Sequence, residues 1–234
     1  MKILVIYVCH ELNNRVKYFI DNAIFKCSEV DFLFVINNPT LQLALPEYVK
    51  VINRKNIGID FGGWSEGLLT NNLYKNYTHF IFANHSIMGP YLPPEYKGKW
   101  TDIFISHLNE NIKLFGPTIN TCNSPTTQSH VQSYIFSMNL ETLEYLISKE
   151  VFSLSKIITN KDQVIAEREI GMSQLILNNG WNIGCLMQHY KGIDFTFKTQ
   201  NRQIEYWGDI MYPQHISQSE FSKYVFIKGN RFGL

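Results

Sequence analysis

The chain lacks any strong excess of charge. Its 234 residues carry 21 Lys and Arg against 20 Asp and Glu, a formal net charge of +1. A polynucleotide-binding domain ordinarily shows a basic excess on one face. With no such excess and no Lys/Arg run, DNA or RNA binding is disfavoured, while a single anionic ligand is not. Cysteine is scarce and scattered. Cys9, Cys27, Cys122 and Cys185 form no C-x-x-C pair, so neither a cysteine zinc site nor a disulfide framework is indicated. Reduced, mostly buried thiols and a cytoplasmic location are the expectation. No stretch approaches the ~20 apolar residues of a membrane helix, so any membrane contact is expected to be peripheral, from the water side. The opening residues 2–9 are apolar, but they run at once into His10-Glu11 and offer no small-residue cleavage site. They predict a buried first strand, not a signal peptide. Internal repeats, low-complexity tracts and an interdomain linker are also missing.

Hydrophobic residues make up 45% and charged residues 18%, enough to fill a sizeable core and to argue against disorder. The 14% aromatic content suits a well-filled core and ring-stacking on sugars or bases equally. Residues 3–9 form a continuous apolar, β-branched-rich run, the mark of a strand covered on both faces. Val16, Phe19, Ile20, Ala23 and Ile24 recur at helical spacing. Strands are expected at 32–36, 49–52 and 79–83, with a helix over 61–73. This β-α-β order predicts a parallel sheet with helices on its faces. Ligands in such open sheets bind outside the carboxyl ends of the strands, so the loops after residues 9, 36, 52 and 83 should face one crevice. The second half is less regular. Strands are expected at 113–115, 134–136, 183–187 and 224–227, helices at 140–146 and 171–177, and a loop at 121–129.

Asn56-Ile-Gly58-Ile-Asp60-Phe-Gly62-Gly63-Trp64 lies between a strand and a helix at that crevice. Glycine lets backbone approach a ligand closely, and the N–H groups opening a helix suit a diphosphate. An ionised Asp60 can only accept, which fits ribose or sugar hydroxyls. A plain turn with Asp60 as helix N-cap is the equal alternative. The spacing is neither the dinucleotide G-x-G-x-x-G nor a Walker A loop. Arg54 and Lys55 precede the loop and could reach phosphate or base. The second stretch, Asn84-His85-Ser86 followed by Gly89-Pro90, ends a buried strand with three polar residues. They face the crevice, or they form an Asx-turn closing the strand. Trp64, Trp100, Trp181 and Trp207 are more often core than sugar platforms, and Trp64, beside the glycine loop, is singled out among them.

Together, Asn-x-Gly-x-Asp-x-Gly-Gly-Trp and Phe-x-Asn-x-Ser-x-x-Gly-Pro resemble GT-A-type glycosyltransferases. They resemble in particular the rhamnan synthesis protein F family and glycosyltransferase domains of large algal viruses. Lys113-Leu-Phe-Gly-Pro-Thr118, His130-Val-Gln132-Ser133 and Glu169-Ile-Gly-Met-Ser173 agree with it, so the resemblance spans roughly residues 3–231.

The resemblance implies a single α/β, GT-A-like domain with a mostly parallel twisted sheet. Residues 1–97 would form the nucleotide-sugar half and 98–234 the acceptor half. It implies an enzyme that moves rhamnose or a hexose from a UDP- or dTDP-type sugar to a glycan, glycolipid or glycoprotein. The nucleotide-sugar would lie against Val8, His10, Asn37, Arg54, Asn56, Gly58, Asp60, Gly63, Trp64, Asn84, His85 and Ser86. Glu169 is the candidate general base, preferred to Glu167. His130 and Gln132 are candidates for contact with donor or acceptor sugar, and Arg231 is a further candidate for phosphate. The family position for Mn²⁺ or Mg²⁺ calls for a carboxylate where this chain has His85. Metal independence, His85 as a ligand, and loss of activity therefore stay open. His215, with His189 behind it, is the candidate C-terminal ligand near the diphosphate. Two rival readings are a non-catalytic nucleotide-sugar or glycan-binding module and a different doubly wound enzyme, such as a methyltransferase.

Overall fold

Residues 3–9 are apolar at every position because both faces of their strand are covered, and all seven are buried. The structure is a computed structural model describing residues 1–122, 124–203 and 208–234; Trp207 lies outside these. The first half runs β1 (Ile3–Cys9), α1 (Asn14–Ala23), β2 (Val30–Ile36), β3 (Lys50–Asn53), α2 (Ile59–Leu69), β4 (His79–Asn84) and β5 (Ile87–Met88). Then follow α3 (Trp100–Ser106), β6 (Ile112–Gly116), β7 (Ile119–Asn120), α4 (Pro125–Gln128), β8 (His130–Val131), β9 (Ile135–Asn139) and α5 (Leu140–Ser148). The last elements are α6 (Lys161–Val164), α7 (Gly171–Asn178), β10 (Asn182–Cys185) and β11 (Ile227–Lys228).

The main sheet has seven strands in the order β10-β6-β9-β4-β1-β2-β3. β9 runs antiparallel to both its neighbours, and every other pairing is parallel. This is the expected mostly parallel sheet of an α/β domain. β4 from the first half and β9 from the second are adjacent, so both halves build one sheet. β5 and β11 form a separate antiparallel pair, as do β7 and β8.

Helices cover both faces. α1 is capped by Asn13, whose side chain accepts from Val16 N, and buries Val16, Phe19 and Ala23. Phe19 stacks on Tyr7 at 4.2 Å between ring centroids, and α3 joins it on that face through Trp100. α2 lies on the opposite face, where the register puts Ile6 beside Phe82. There Trp64 packs edge-on to Phe82 and Phe136. Burying rings of this size supplies much of a core's stabilisation. The helix expected over 61–73 ends at Leu69 and continues as a 3₁₀ segment, Thr70–Asn76. The terminal strand expected at 224–227 is only Ile227–Lys228. No helix among the described residues is long and apolar enough to cross a membrane.

Candidate active site

β1, β2 and β4 are parallel and in register, so their carboxyl ends open on one side. The loops leaving them line a cleft of about 410 Å³ with the start of α2, the α6 segment and the β11 end. His10, Asn37, Asn56, Asp60, Asn84, His85 and Ser86 all line it. Seven of the expected donor-site residues, from four separate stretches of sequence, therefore meet in one place.

The glycine loop is shaped by sterics. Gly58 adopts φ 79° at the head of α2, in the left-handed region that favours glycine. Ile59 follows at φ 54°, where a β-branched residue is strained. Such strain recurs at ligand loops. A Cβ on Gly62 would lie 2.1 Å from the Ile57 carbonyl oxygen, so only glycine fits there. Gly63 packs on Val8, with an added Cβ 3.0 Å from the Val8 side chain. Asp60 is not the N-cap: Gly58 holds that position without a side-chain bond, and Asp60 in the first turn faces the cleft.

Asp60 and Asn84 form the cleft's central pair. Asn84 Nδ2 donates to Asp60 Oδ2 at 2.9 Å. Asn84 Oδ1 accepts from Ser86 N at 3.0 Å and from Ser86 Oγ at 2.5 Å. The Asx-turn is present, and it aims the Asn84 amide at Asp60 within the cleft. Burial pushes the Asp60 carboxyl up to about 6; the Asn84 hydrogen bond opposes the rise, the Glu169 charge adds to it and Lys228 opposes it. Burial, with the neighbouring His10 charge, pushes His85 down to about 4.

The opposite wall carries Glu169. The helix expected to open near it begins earlier, at Lys161, and α6 joins α7 through a π-helical turn, Ile165–Ile170. Such turns re-aim side chains and are frequent at functional sites. Here the turn points Glu169 inward, while Glu167 is exposed and takes a hydrogen bond from Gln163. Ser133 Oγ donates to Glu169 Oε2 at 2.7 Å. His130 Nε2 lies 3.6 Å from Glu169 Oε1. His130 Nδ1 is 2.7 Å from the Gln128 carbonyl, which can only accept, so Nδ1 carries a proton.

Lys228, Lys161, Asn230 and Ser133 also line the cleft and were not singled out from sequence. β11 pairs with β5, setting Lys228 opposite Ile87, next to the Asn84–Ser86 turn. Burial lowers the Lys228 pKa, and Glu169 and Asp209 oppose this. A lone lysine on a two-residue strand carries no local signal; only the pairing reveals it.

Several expected contacts are placed elsewhere. Trp64 is fully buried, and its Nε1 donates to Ala83 O. It is a core residue, because helical periodicity turns it onto the sheet. Arg54 spends its guanidinium on Glu66 (2.7 Å), Asn37 Oδ1 (2.6 Å) and Ile57 O (2.7 Å). It braces the glycine loop and positions Asn37. Val8 is buried in β1 against Gly63 and is not among the residues that line the cleft. Gly58 lines a small separate crevice with Arg168. Gln132 is buried and bridges Thr118 and Asp209, and Asp209 pairs with Arg231 at 2.7 Å, so Gln132 and Arg231 brace the cleft's surroundings. His130 reaches the site through Glu169. His215 is exposed after Met211 and is not among the residues that line the cleft.

The donor set does not suit Mg²⁺, which demands near-octahedral oxygen ligands. Asn84 and Ser86 are committed to each other and to Asp60. His85 instead meets His10, edge to face at 4.4 Å between centroids.

The rhamnan synthesis protein F family model matches residues 34–221. Virulence protein VirA of Vibrio anguillarum is 28% identical over 143 residues, 59% of this chain and 41% of its own length. The chain thus spans about two fifths of the curated relatives it matches. Among solved structures, a glycosyltransferase involved in the glycosylation of the major capsid of PBCV-1 matches 70% of this chain and 74% of its own. That match has 14% identity and a TM-score of 0.36.

Proposed function

Because the chain belongs to the rhamnan synthesis protein F family, we propose that it is a nucleotide-sugar-dependent glycosyltransferase. The donor is a UDP- or dTDP-type sugar, and rhamnose or a hexose passes to a hydroxyl of a glycan, glycolipid or glycoprotein. The observation that carries this reading is the cleft itself. Asp60, oriented by Asn84, stands with Glu169 and Lys228 around one space large enough for a small ligand.

Each residue then has a chemical task. Asp60 and Asn84 hold ribose or sugar hydroxyls. Lys228 and Lys161 stabilise the charge that grows on the diphosphate as the bond from the anomeric carbon to it breaks. The acceptor oxygen forms the new bond to that carbon and gives its proton to Glu169. Ser133 fixes one Glu169 oxygen, and His130 Nε2 stands beside the other, ready to share the proton.

One observation favours a second reading. The His85 position lacks the carboxylate of a Mg²⁺ or Mn²⁺ site, which suits a donor-binding module without turnover. The test is release of nucleoside diphosphate from a panel of UDP- and dTDP-sugars with glycan acceptors. Turnover that is lost in Glu169→Gln supports the transferase. Donor binding without turnover supports the module, and no binding of any donor overturns both.

A further inference from the structure

We propose that His10, Glu11 and His85 form a binding site for a late first-row divalent cation, of the Zn²⁺, Co²⁺ or Ni²⁺ class, at the rim of the cleft. The arrangement follows from strand register. β1 and β4 are parallel neighbours with Val8 opposite Asn84, and His85 N donates to Val8 O at 3.0 Å. The residues that follow each strand therefore emerge side by side. One ligand atom from each of the three lies within 4.8 Å of the others. Ligands 2.0–2.2 Å from a zinc ion sit about 3–3.5 Å apart. His10 and Glu11 are exposed, so small side-chain rotations close the difference without moving the backbone.

Two further observations point to a ligand. His85 Nδ1 is buried and has no hydrogen-bond partner among the described residues, an uncommon state for a buried polar atom. Asn13 Nδ2 donates to Glu11 Oε1 at 3.0 Å. That bond orients the carboxylate and leaves its other oxygen free, the kind of outer support that metal ligands ordinarily have. The donor chemistry selects the ion. Two imidazoles and one carboxylate suit zinc, cobalt or nickel, whereas magnesium prefers oxygen donors throughout. Two neutral imidazoles and one carboxylate leave a divalent ion with net positive charge and open positions. His10 and His85 both line the cleft, so that charge faces the ligand space. A role toward a diphosphate rests on the transferase reading; the cation site rests on the three side chains alone.

The test is calorimetric titration of the whole chain with Zn²⁺, and visible absorption on adding Co²⁺, both without nucleotide. One ion per chain is expected, undisturbed by a large excess of Mg²⁺. His10→Ala and Glu11→Gln change exposed side chains and leave the fold intact. Each should weaken binding by at least the about 10–100-fold that loss of a supporting partner costs, and His85→Ala should do the same. Unchanged affinity in His10→Ala and His85→Ala would overturn the proposal. So would loss of the ion in Glu169→Gln with Glu11→Gln unaffected, since the ion would then sit deeper in the cleft. Nucleoside diphosphate binding measured in chelator reports separately on the transferase reading, whichever way the zinc titration falls.

Discussion

Replacing Asp60 with asparagine removes a charge that the fold has to hold away from water, while keeping an oxygen to accept from Asn84. Asp60 rises from 3.8 to about 6 in the folded chain, chiefly through burial. A shift of that size corresponds to about 3 kcal/mol of destabilisation when the group is ionised. The sign is set by proton uptake. Between pH 3.8 and 6 the folded chain binds more protons at this site than the unfolded chain, so the penalty is full above pH 6. It shrinks as pH falls through that window and nearly disappears at 3.8. Asp60→Asn should therefore be more stable than wild type at pH 7.5, by about 2–3 kcal/mol. The gap should be roughly halved near pH 5. Denaturant unfolding at several pH values reads this directly as a midpoint shift at constant slope. The same variant should bind a nucleotide-sugar more weakly, since stability gained by neutralising a site residue commonly costs function. A variant less stable than wild type at pH 7.5, or a gap that does not vary with pH, would refute the assignment of Asp60 as a desolvated site carboxylate.

Glu169→Gln should cut turnover by about 10²–10⁴-fold with donor affinity largely kept. It should also lower the Asp60 midpoint in a carboxyl NMR titration, because one of the charges raising it is gone. Lys228→Ala should weaken nucleoside diphosphate binding by roughly 1.5–3 kcal/mol, the usual worth of a hydrogen bond to a charged group, as read by calorimetry. Gly62→Ala forces a Cβ against the Ile57 carbonyl and should lower the melting temperature by roughly 2–10 °C. Trp64→Phe should cost about 1–2 kcal/mol of stability through the lost bond to Ala83 and leave the donor KM unchanged.

The parts of the fold legible in the sequence are those fixed by local pattern. β1 is apolar throughout because both faces are covered, and α1 shows its buried stripe at Val16, Phe19 and Ala23. The glycine loop and the Asn84–Ser86 turn were legible as cleft-lining stretches because each follows a strand at the sheet edge where ligands sit in such folds. What local pattern does not carry is partnership across the chain. Arg54 reads as a free cation until Glu66 and Asn37 are seen to take its guanidinium. Trp64 is adjacent to the site in sequence but faces the core by helical phase. Lys228 reaches the cleft only through a two-residue antiparallel pairing. The inward aim of Glu169 depends on a π turn, which a 3.6-residue periodicity does not register.

The proposed function requires a nucleoside diphosphate to bind in the cleft between Asp60 and Lys228. Its most direct test is a thermal-shift panel of UDP, GDP, dTDP, CMP, ATP and S-adenosylmethionine on wild type and Lys228→Ala. A ligand at 100 times its dissociation constant stabilises by about 2.7 kcal/mol, a readily seen shift. Stabilisation by one nucleoside diphosphate is expected, much reduced in Lys228→Ala. No shift with any of them, or a shift with S-adenosylmethionine alone, would contradict it.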